Sequence, residues 1–282
     1  MVRMLDRETS SSMTKKSDLP YLDSGHERHV LDLYLPEETD GAARPVIFWI
    51  HGGGWIEGDK SDVGLKPTTF TGKGCVFVSI NHRLLPEVTM GELIRDVSRA
   101  LGWVYRHIKE IGGDPTRIVV GGHSSGAQLA ALVCSDHQFV EEAEVPPHVI
   151  RGCIAVDGDT YDIPKIILTA ETRQDLYGGQ PFTLGHRQKF EDDPDKHIEY
   201  SAVTHIAKGK EIPPFLILYF SGNPDTTAQA RRFEAVLEGA DIPVTVHGKL
   251  DTNHERLNSE LGIQGDSASE ELFRFLEETL PT

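Results

Sequence analysis

The chain has 282 residues, of which 38% are hydrophobic and 26% charged, a composition typical of a globular protein rather than a disordered one. Its 28 Lys and Arg against 44 Asp and Glu give a net charge of −16. This excess of acid disfavours nucleic acid as a partner, because phosphate binding takes a clustered basic surface. We expect one domain over residues 1–282, with residues 1–20 mobile.

No membrane span is expected and no signal peptide is visible, although a signal peptide that had been removed would leave no trace in the sequence. The longest purely apolar segments, such as Val46–Ile50 and Phe215–Phe220, are far shorter than the roughly 20 residues that cross a bilayer. The first twenty residues are polar and contain no apolar signal segment. The three cysteines, Cys75, Cys134 and Cys153, form no CxxC pair. We therefore expect a cytoplasmic protein without a membrane partner, and the sequence leaves a homodimer open.

Short β-rich segments alternate with helical segments along the chain, which is typical of a parallel sheet flanked by helices. The final helix begins with a capping box formed by its first residue and Glu270. In chain order, the predicted elements are the strands His29–Leu35, Val46–Ile50 and Cys75–Ile80, the helix Gly91–Glu110, the strand Arg117–Val120, the helix Ser125–Cys134, the strands Val149–Val156 and Phe215–Phe220, the helix Thr227–Glu238, the strand Pro243–His247 and a helix from Ser267.

Residues 157–212 lack a clear periodicity and are rich in Gly, Asp and Pro. More than fifty residues of weak pattern inside a compact chain usually form a functional insertion such as a lid. We therefore predict a cap region of approximately these bounds, embedded in the domain.

Gly122-His123-Ser124-Ser125-Gly126 is a GxSxG motif between a predicted strand and a predicted helix. A nucleophilic serine must stand on a tight turn of this kind, and the flanking glycines leave room for the crowded backbone. A helix N-terminus also favours the negative charge that develops during acyl transfer. We predict Ser124 as the nucleophile; the alternative is an ordinary strand-to-helix turn.

His51-Gly52-Gly53-Gly54-Trp55 directly follows the predicted strand Val46–Ile50. Successive glycines expose backbone N–H groups with no Cβ to block a close approach, and acyl transfer needs such donors at the oxyanion. Because GxSxG lies downstream, we predict the N–H groups of Gly53, Gly54 and Ser125 as an oxyanion hole. The alternative is a flexible glycine turn.

Together with Gly58-Asp59-Lys60, Asn81–Pro86 and Gly121–Ala130, the HGGGW segment resembles the α/β-hydrolase carboxylesterases, in the branch that includes kynurenine formamidase-like and BD-FAE-like proteins. The resemblance spans Leu31 to the C-terminus and is weakest over residues 157–212. It implies the α/β-hydrolase fold: a mostly parallel central sheet flanked by helices, with an inserted cap region. It also implies a Ser–Asp/Glu–His triad in that chain order, with no metal or organic cofactor.

The resemblance places the acid after the strand Phe215–Phe220. The segment Ser221-Gly222-Asn223-Pro224-Asp225 is similar to the family's HGxxD, with Ser in place of His. We therefore predict that Asp225 orients the catalytic imidazole and stabilises its protonated form. Asp241 and Asp251 are rivals, and the alternative for Asp225 is an aspartate that only stabilises a helix N-terminus.

His254 is the predicted base. It lies between the last strand and the last helix, and it resembles the catalytic histidine of the family. We also predict Trp55 and His123 as substrate-binding residues, with a core position and packing at the turn as the respective alternatives. His51 is expected to orient the glycine loop through a hydrogen bond. No HExxH, EF-hand or Walker A motif and no Cys/His cluster is present, so we predict no metal or nucleotide site.

These residues predict a serine hydrolase that acts through an acyl-enzyme. The resemblance implies that it is a carboxylesterase and that its substrates are small short-chain esters. The alternative activity is that of an arylformamidase that cleaves N-formylkynurenine with the same triad. The two are not separated by the sequence, because specificity lies in the cap. A third hypothesis is a binding module on an inactive hydrolase fold, although such proteins usually lack a triad or oxyanion residue.

Overall fold

The computed structural model describes residues 13–37, 41–180 and 182–281. These residues contain an eight-stranded sheet with the strand order β1-β2-β4-β3-β5-β6-β7-β8. β1 pairs antiparallel with β2 and β2 antiparallel with β4, while the remaining pairs are parallel. The strands are β1 (Met13–Pro20), β2 (Val30–Pro36), β3 (Arg44–Ile50), β4 (Val76–Ile80), β5 (Gly113–His123), β6 (Ile150–Val156), β7 (Phe215–Phe220) and β8 (Val244–Lys249).

Helices occupy the connections between strands, and in the described residues none is long and apolar enough to cross a bilayer. They are α1 (Lys66–Gly72), α2 (Met90–His107), α3 (Ser125–Ser135), α4 (His137–Glu142), α5 (Ile163–Tyr177), α6 (His186–Lys189), α7 (Pro194–Glu199), α8 (Pro224–Gly239), α9 (His254–Ser259) and α10 (Ser267–Thr279).

Two apolar clusters pack against the sheet. Neighbouring residues of β3 belong to different clusters: Phe48 packs with residues of α2, α3 and α8, whereas Ile47 packs with residues of α1 and α10. Successive side chains of a strand point to opposite faces, so the two clusters cover the two faces of the sheet. The continuous apolar strands of the sequence are therefore explained by burial on both sides.

The N-terminal part of the chain departs from the prediction. Residues 1–20 were expected to be mobile, but Met13–Pro20 forms the edge strand β1; residues 1–12 lie outside the described residues. The apolar pattern of the sequence does not predict β1, because this strand is mostly polar and exposed, as edge strands commonly are. It is attached by Lys15, whose ammonium lies 2.8 Å from the buried carboxylate of Asp32 on β2.

The last helix begins at Ser267, as predicted, but with a different cap. The side chain of Asp266 is the N-cap, and it accepts a hydrogen bond from the backbone N–H of Ser269 at 3.0 Å. Asp is as good an N-cap as Ser, and here it stands one residue earlier, so the predicted capping box with Glu270 is replaced.

The region between β6 and β7 contains more helix than its weak periodicity suggests. It includes α5, α6, α7 and short 3-10 turns at Phe182–Gly185 and Ala202–His205. Phe190 and Tyr200 are buried in the same cluster as α2 and α3, which attaches this region to one face of the sheet.

Parallel strands bring their carboxyl ends to one edge of the sheet. The segments that follow β3, β5, β6, β7 and β8 therefore meet there, and they carry the glycine loop, Ser124, Asp157, Asp225 and His254 respectively.

Candidate active site

Ser124 stands on the sharp turn predicted between β5 and α3. Its backbone has φ 57° and ψ −120°, a conformation that costs a non-glycine residue strain. The glycines on either side are required by close approach: a Cβ at Gly122 would lie 2.2 Å from the carbonyl oxygen of Gly126, and one at Gly126 would lie 2.3 Å from that of Ile50. The turn therefore holds the hydroxyl of Ser124 at the start of a helix.

The glycine loop after β3 turns its backbone toward the same edge. Gly53 and Gly54 have φ of 118° and 58°, and a Cβ at Gly53 would lie 2.1 Å from the carbonyl oxygen of Glu57. Among the residues that the structure describes, none accepts a hydrogen bond from the backbone N–H of Gly53 or Gly54. These donors and the N–H of Ser125, at the first position of α3, are available to an oxyanion.

His51 and Arg28 hold the glycine loop in place through hydrogen bonds. His51 Nδ1 donates to the carbonyl oxygen of Gly52 at 2.7 Å, which is the orienting hydrogen bond expected for this residue. Burial lowers the pKa of His51 to about 4, so its Nε2 is free to accept from Arg28 at 3.2 Å. Arg28 also donates to the carbonyl oxygens of Gly58 and His82, at 2.9 and 2.6 Å. Arg28 lies in no motif, and nothing in the sequence pointed to it.

His254 begins α9, and its imidazole is paired with Asp157. Nδ1 donates to Asp157 Oδ2 at 2.6 Å. The other oxygen of Asp157 accepts the backbone N–H of Phe220 at 2.7 Å, so the carboxylate is held between the ends of β6 and β7. Burial lowers the pKa of His254, but the hydrogen bond and charge of Asp157 outweigh it, so the net pKa is above its ordinary value. Donation from Nδ1 leaves Nε2 as the basic nitrogen.

The structure does not place Asp225 where we predicted it. Its two carboxylate oxygens accept from Arg173 of α5 at 2.9 and 2.8 Å. The reason is local: Asn223 caps α8 by accepting the N–H of Asp225, which commits Asp225 to the first turn of the helix. Asp157 was missed, although it directly follows a buried strand that ends at the same edge of the sheet.

His123 borders the site, and it contacts His254 directly. Its Nε2 donates to the carbonyl oxygen of His254 at 3.1 Å, and the two rings lie 4.4 Å apart between centroids. Burial holds the pKa of His123 well below its ordinary value, so this ring is neutral. His123 therefore supports the backbone of His254.

Trp55 is not exposed to the site as a substrate wall. Its side chain is only 2% exposed, its ring packs against His186 and Phe190, and its Nε1 donates to Gln128 at 3.1 Å. The core alternative for Trp55 is the one that the structure supports. The ring is covered by His186, the first residue of α6, and by Phe190, which follows that helix.

A cavity of about 660 Å³ opens over these groups. Ser124, His254, His123 and Gly52–Gly54 line it, together with Lys189, which α6 contributes and which the sequence gave no reason to select. In the described part of the chain, no hydrogen bond joins the hydroxyl of Ser124 to His254. The hydrogen bond between a catalytic serine and its histidine is often long until a substrate binds, so its absence here is compatible with proton transfer between Ser124 and His254.

Within residues 13–37, 41–180 and 182–281, no group of three His, Cys, Asp or Glu side chains is arranged to hold a metal ion. The three described cysteines are buried and free. Independently of this, one cavity brings together the hydroxyl-bearing Ser124, the glycine loop and His254, whose imidazole is oriented by the carboxylate of Asp157.

Comparison with known proteins identifies relatives along most of the chain. LipQ, an esterase of Mycobacterium tuberculosis, is 29% identical over 269 residues, which make up 92% of this chain and 61% of LipQ. The chain therefore spans less than two thirds of that relative's length. The kynurenine formamidase of Danio rerio is 25% identical over 248 residues, or 88% of this chain and 77% of that enzyme.

Among solved structures, Esterase B from Lactobacillus rhamnosis aligns with a TM-score of 0.76 at 19% identity, covering 95% of this chain and 85% of that one. This likeness, together with the mostly parallel sheet, confirms the predicted α/β-hydrolase fold. The BD-FAE family model matches residues 31–235, well over half of the sequence. The chain belongs to the BD-FAE family.

Proposed function

We propose that this protein is a carboxylesterase that cleaves small short-chain esters through Ser124, His254 and Asp157. The observation that carries the proposal is the buried Asp157 carboxylate on Nδ1 of His254, in a cavity that the strained Ser124 turn also lines. The name of the relative LipQ, an esterase, agrees with this assignment.

In the proposed reaction, Nε2 of His254 takes the proton of Ser124 as its oxygen attacks the ester carbonyl. The N–H groups of Gly53, Gly54 and Ser125 hold the oxyanion, and each such donor is worth roughly 3 kcal/mol of barrier. His254 then protonates the departing alcohol, and water repeats the sequence to release the acid. Asp157 stabilises the imidazolium throughout without taking its proton.

The test is hydrolysis of p-nitrophenyl esters from acetate to octanoate by wild type and by Ser124→Ala. We expect turnover on the short esters and its loss in the variant. Ser17→Ala, a change at an exposed position of β1, is the matched control and retains activity. Equal rates for wild type and Ser124→Ala would exclude Ser124 as the nucleophile.

The Danio rerio kynurenine formamidase is a specific reason to keep a second activity, hydrolysis of N-formylkynurenine by the same residues. Parallel assays of p-nitrophenyl acetate and N-formylkynurenine decide between the two activities. A kcat/KM for the formamide that exceeds the value for every ester would reassign the protein as an arylformamidase.

Four further expectations are part of the proposal: a cytoplasmic location, no cofactor, no nucleic-acid partner and a homodimer as the open oligomeric state. Light scattering after size-exclusion chromatography measures the last of these. Full activity of protein dialysed against a chelator would support the absence of a metal cofactor, and a loss restored by metal would contradict it.

A further inference from the structure

Lys189 is a cation on the inner wall of the proposed active-site cavity. It is the last residue of α6, in the cap region, and its ammonium lies 5.4 Å from the centroid of the Trp55 ring. A Cβ at Gly54 would lie 3.3 Å from Lys189 Nζ, so the ammonium stands beside the loop that presents the oxyanion donors. The same cavity is lined by Ser124 and His254.

The other charges of the cavity differ from Lys189 in their exposure. Glu57, Asp62 and Glu255 also line it, but all three are exposed, whereas Lys189 is half-buried. Burial lowers the pKa of Lys189, opposed by the carboxylates of Asp159 and Glu57. Exposed carboxylates are screened by water and salt, while a partly desolvated ammonium interacts more strongly with an anion that reaches it.

We infer that Lys189 selects esters that carry a carboxylate, and that it binds this group beside the glycine loop. The inference rests on the proposed esterase function and names the substrate class of the same site. The carboxylate belongs either to the acyl part or to the leaving group of the ester. In both cases the carboxylate loses hydrating water on entering the cavity. The ammonium of Lys189 compensates for this loss with a charged hydrogen bond.

Two pairs of esters test the inference, since the members of each pair differ only in a carboxylate or a carboxamide. Monomethyl glutarate and methyl glutaramate carry the difference on the acyl part; 4-acetoxybenzoate and 4-acetoxybenzamide carry it on the leaving group. Acid release is followed in a pH-stat at about 0.15 M salt, where long-range repulsion by the acidic surface is screened.

For at least one pair we expect a higher kcat/KM for the carboxylate, and the responding pair identifies the part of the ester that Lys189 contacts. In Lys189→Gln the carboxylate-to-carboxamide ratio should fall about tenfold, the effect of one modest charge interaction. Lys189→Arg should largely preserve the ratio, and Lys189→Glu should invert it. The matched control is Lys208→Gln, at a 78% exposed lysine, which leaves the ratio unchanged. An unchanged ratio in Lys189→Gln would overturn the inference while leaving the esterase function intact.

Failure of the proposed function has a different signature, because wild type would then hydrolyse no member of either pair. The inference is in that case decided by calorimetric binding of 4-acetoxybenzoate and 4-acetoxybenzamide to Ser124→Ala protein. Tighter binding of the carboxylate that is lost on adding Lys189→Gln supports the assignment of Lys189. Equal binding of the two compounds overturns it.

Discussion

At the residue scale, two aspartates at the ends of neighbouring strands are candidates for the partner of His254, and only one of them contacts it. Asp157 follows β6 in a left-handed conformation, with φ 51°, and its carboxylate is fixed by Phe220 and His254. Asp225 follows β7 and is engaged by Arg173 through both oxygens. A carboxylate that already has a bidentate cation is poorly placed to respond to a forming imidazolium.

Replacing Asp157 by Asn should lower kcat by about 10³–10⁴-fold with a small change in KM, because an amide that donates to Nδ1 selects the wrong tautomer of His254. Asp225→Asn is the matched control and should cost only a few-fold. Steady-state kinetics on p-nitrophenyl acetate, with circular dichroism of each variant, measures both effects. The reverse order of losses would return Asp225 to the role of acid.

The activity should depend on pH through His254. Its pKa is raised by Asp157, so the imidazole stays protonated up to a pH above the ordinary value of about 6.5. In the proposed reaction only the neutral ring accepts the proton of Ser124, so kcat/KM should fall as the pH drops through this raised pKa. The acid limb of a kcat/KM profile gives the value directly. An apparent pKa at or below 6.5 would contradict this assignment, whereas the neutral His123 contributes nothing to the limb.

At the element scale, a buried lysine joins α1 to α9, the helix that His254 begins. Lys66 is fully buried, and its ammonium donates to the carbonyl oxygens of Val63 and Asn258 at 3.2 and 2.8 Å. The ring of Trp49 lies 4.9 Å away, and burial lowers the pKa of Lys66 to about 7. Charging this amine is therefore unfavourable in the folded protein, although its hydrogen bond to Asn258 holds α1 and α9 together.

The stability of the wild type should rise with pH between about 7 and 10.5, relative to Lys66→Met. In that range the unfolded chain binds a proton that the folded protein does not. The free-energy cost of releasing this proton on folding therefore declines with pH, by on the order of 1.4 kcal/mol per pH unit. Urea unfolding at pH 6, 8 and 9.5 measures the difference. Lys109→Met, at an exposed lysine, should show no such trend, and a parallel pH dependence for wild type and Lys66→Met would refute the prediction.

At the scale of the whole molecule, the two faces of the sheet supply the core, and a few buried charges connect its layers. Asp96 of α2 is fully buried and accepts from both Arg83, at 2.7 and 2.8 Å, and His29, at 3.1 Å. It thereby attaches α2 to the loop after β4 and to the residue that precedes β2. Burial raises the pKa of Asp96, but the contacts with Arg83 and His29 lower it by a larger amount, so the net pKa is below its ordinary value.

Asp96→Asn should destabilise the protein at pH 7 by about 3–5 kcal/mol, because it leaves Arg83 without its buried partner. A depressed carboxylate pKa stabilises the fold above the ordinary value near 3.8 and loses this contribution as the pH falls through the folded-state pKa. The gap between wild type and variant should therefore close below pH 4 in chemical unfolding experiments. Asp23→Asn, at an exposed position, serves as the control; a constant gap would show that the charge of Asp96 is irrelevant.

Much of the fold was readable from local patterns. The apolar strands from Val46–Ile50 to Phe215–Phe220 are continuous because both of their faces are buried, and the apolar stripe of α2 has the helical period. The polar edge strand β1 escaped detection because its attachment depends on β2 and Asp32 rather than on its own composition. The helices between β6 and β7 were not predicted for a related reason, since they depend on packing against the sheet.

The sequence by itself determined the turn that carries Ser124, the glycine loop and the position of His254, because each depends on residues adjacent in the chain. Which carboxylate reaches His254 was decided by the tertiary structure alone. Two aspartates follow two neighbouring strands, and the choice between them depends on the direction that the backbone takes after each strand and on the distant residue, Arg173 or His254, that it meets. The same holds for Lys189 and Arg28, which long-range packing brings beside the site from segments without a motif.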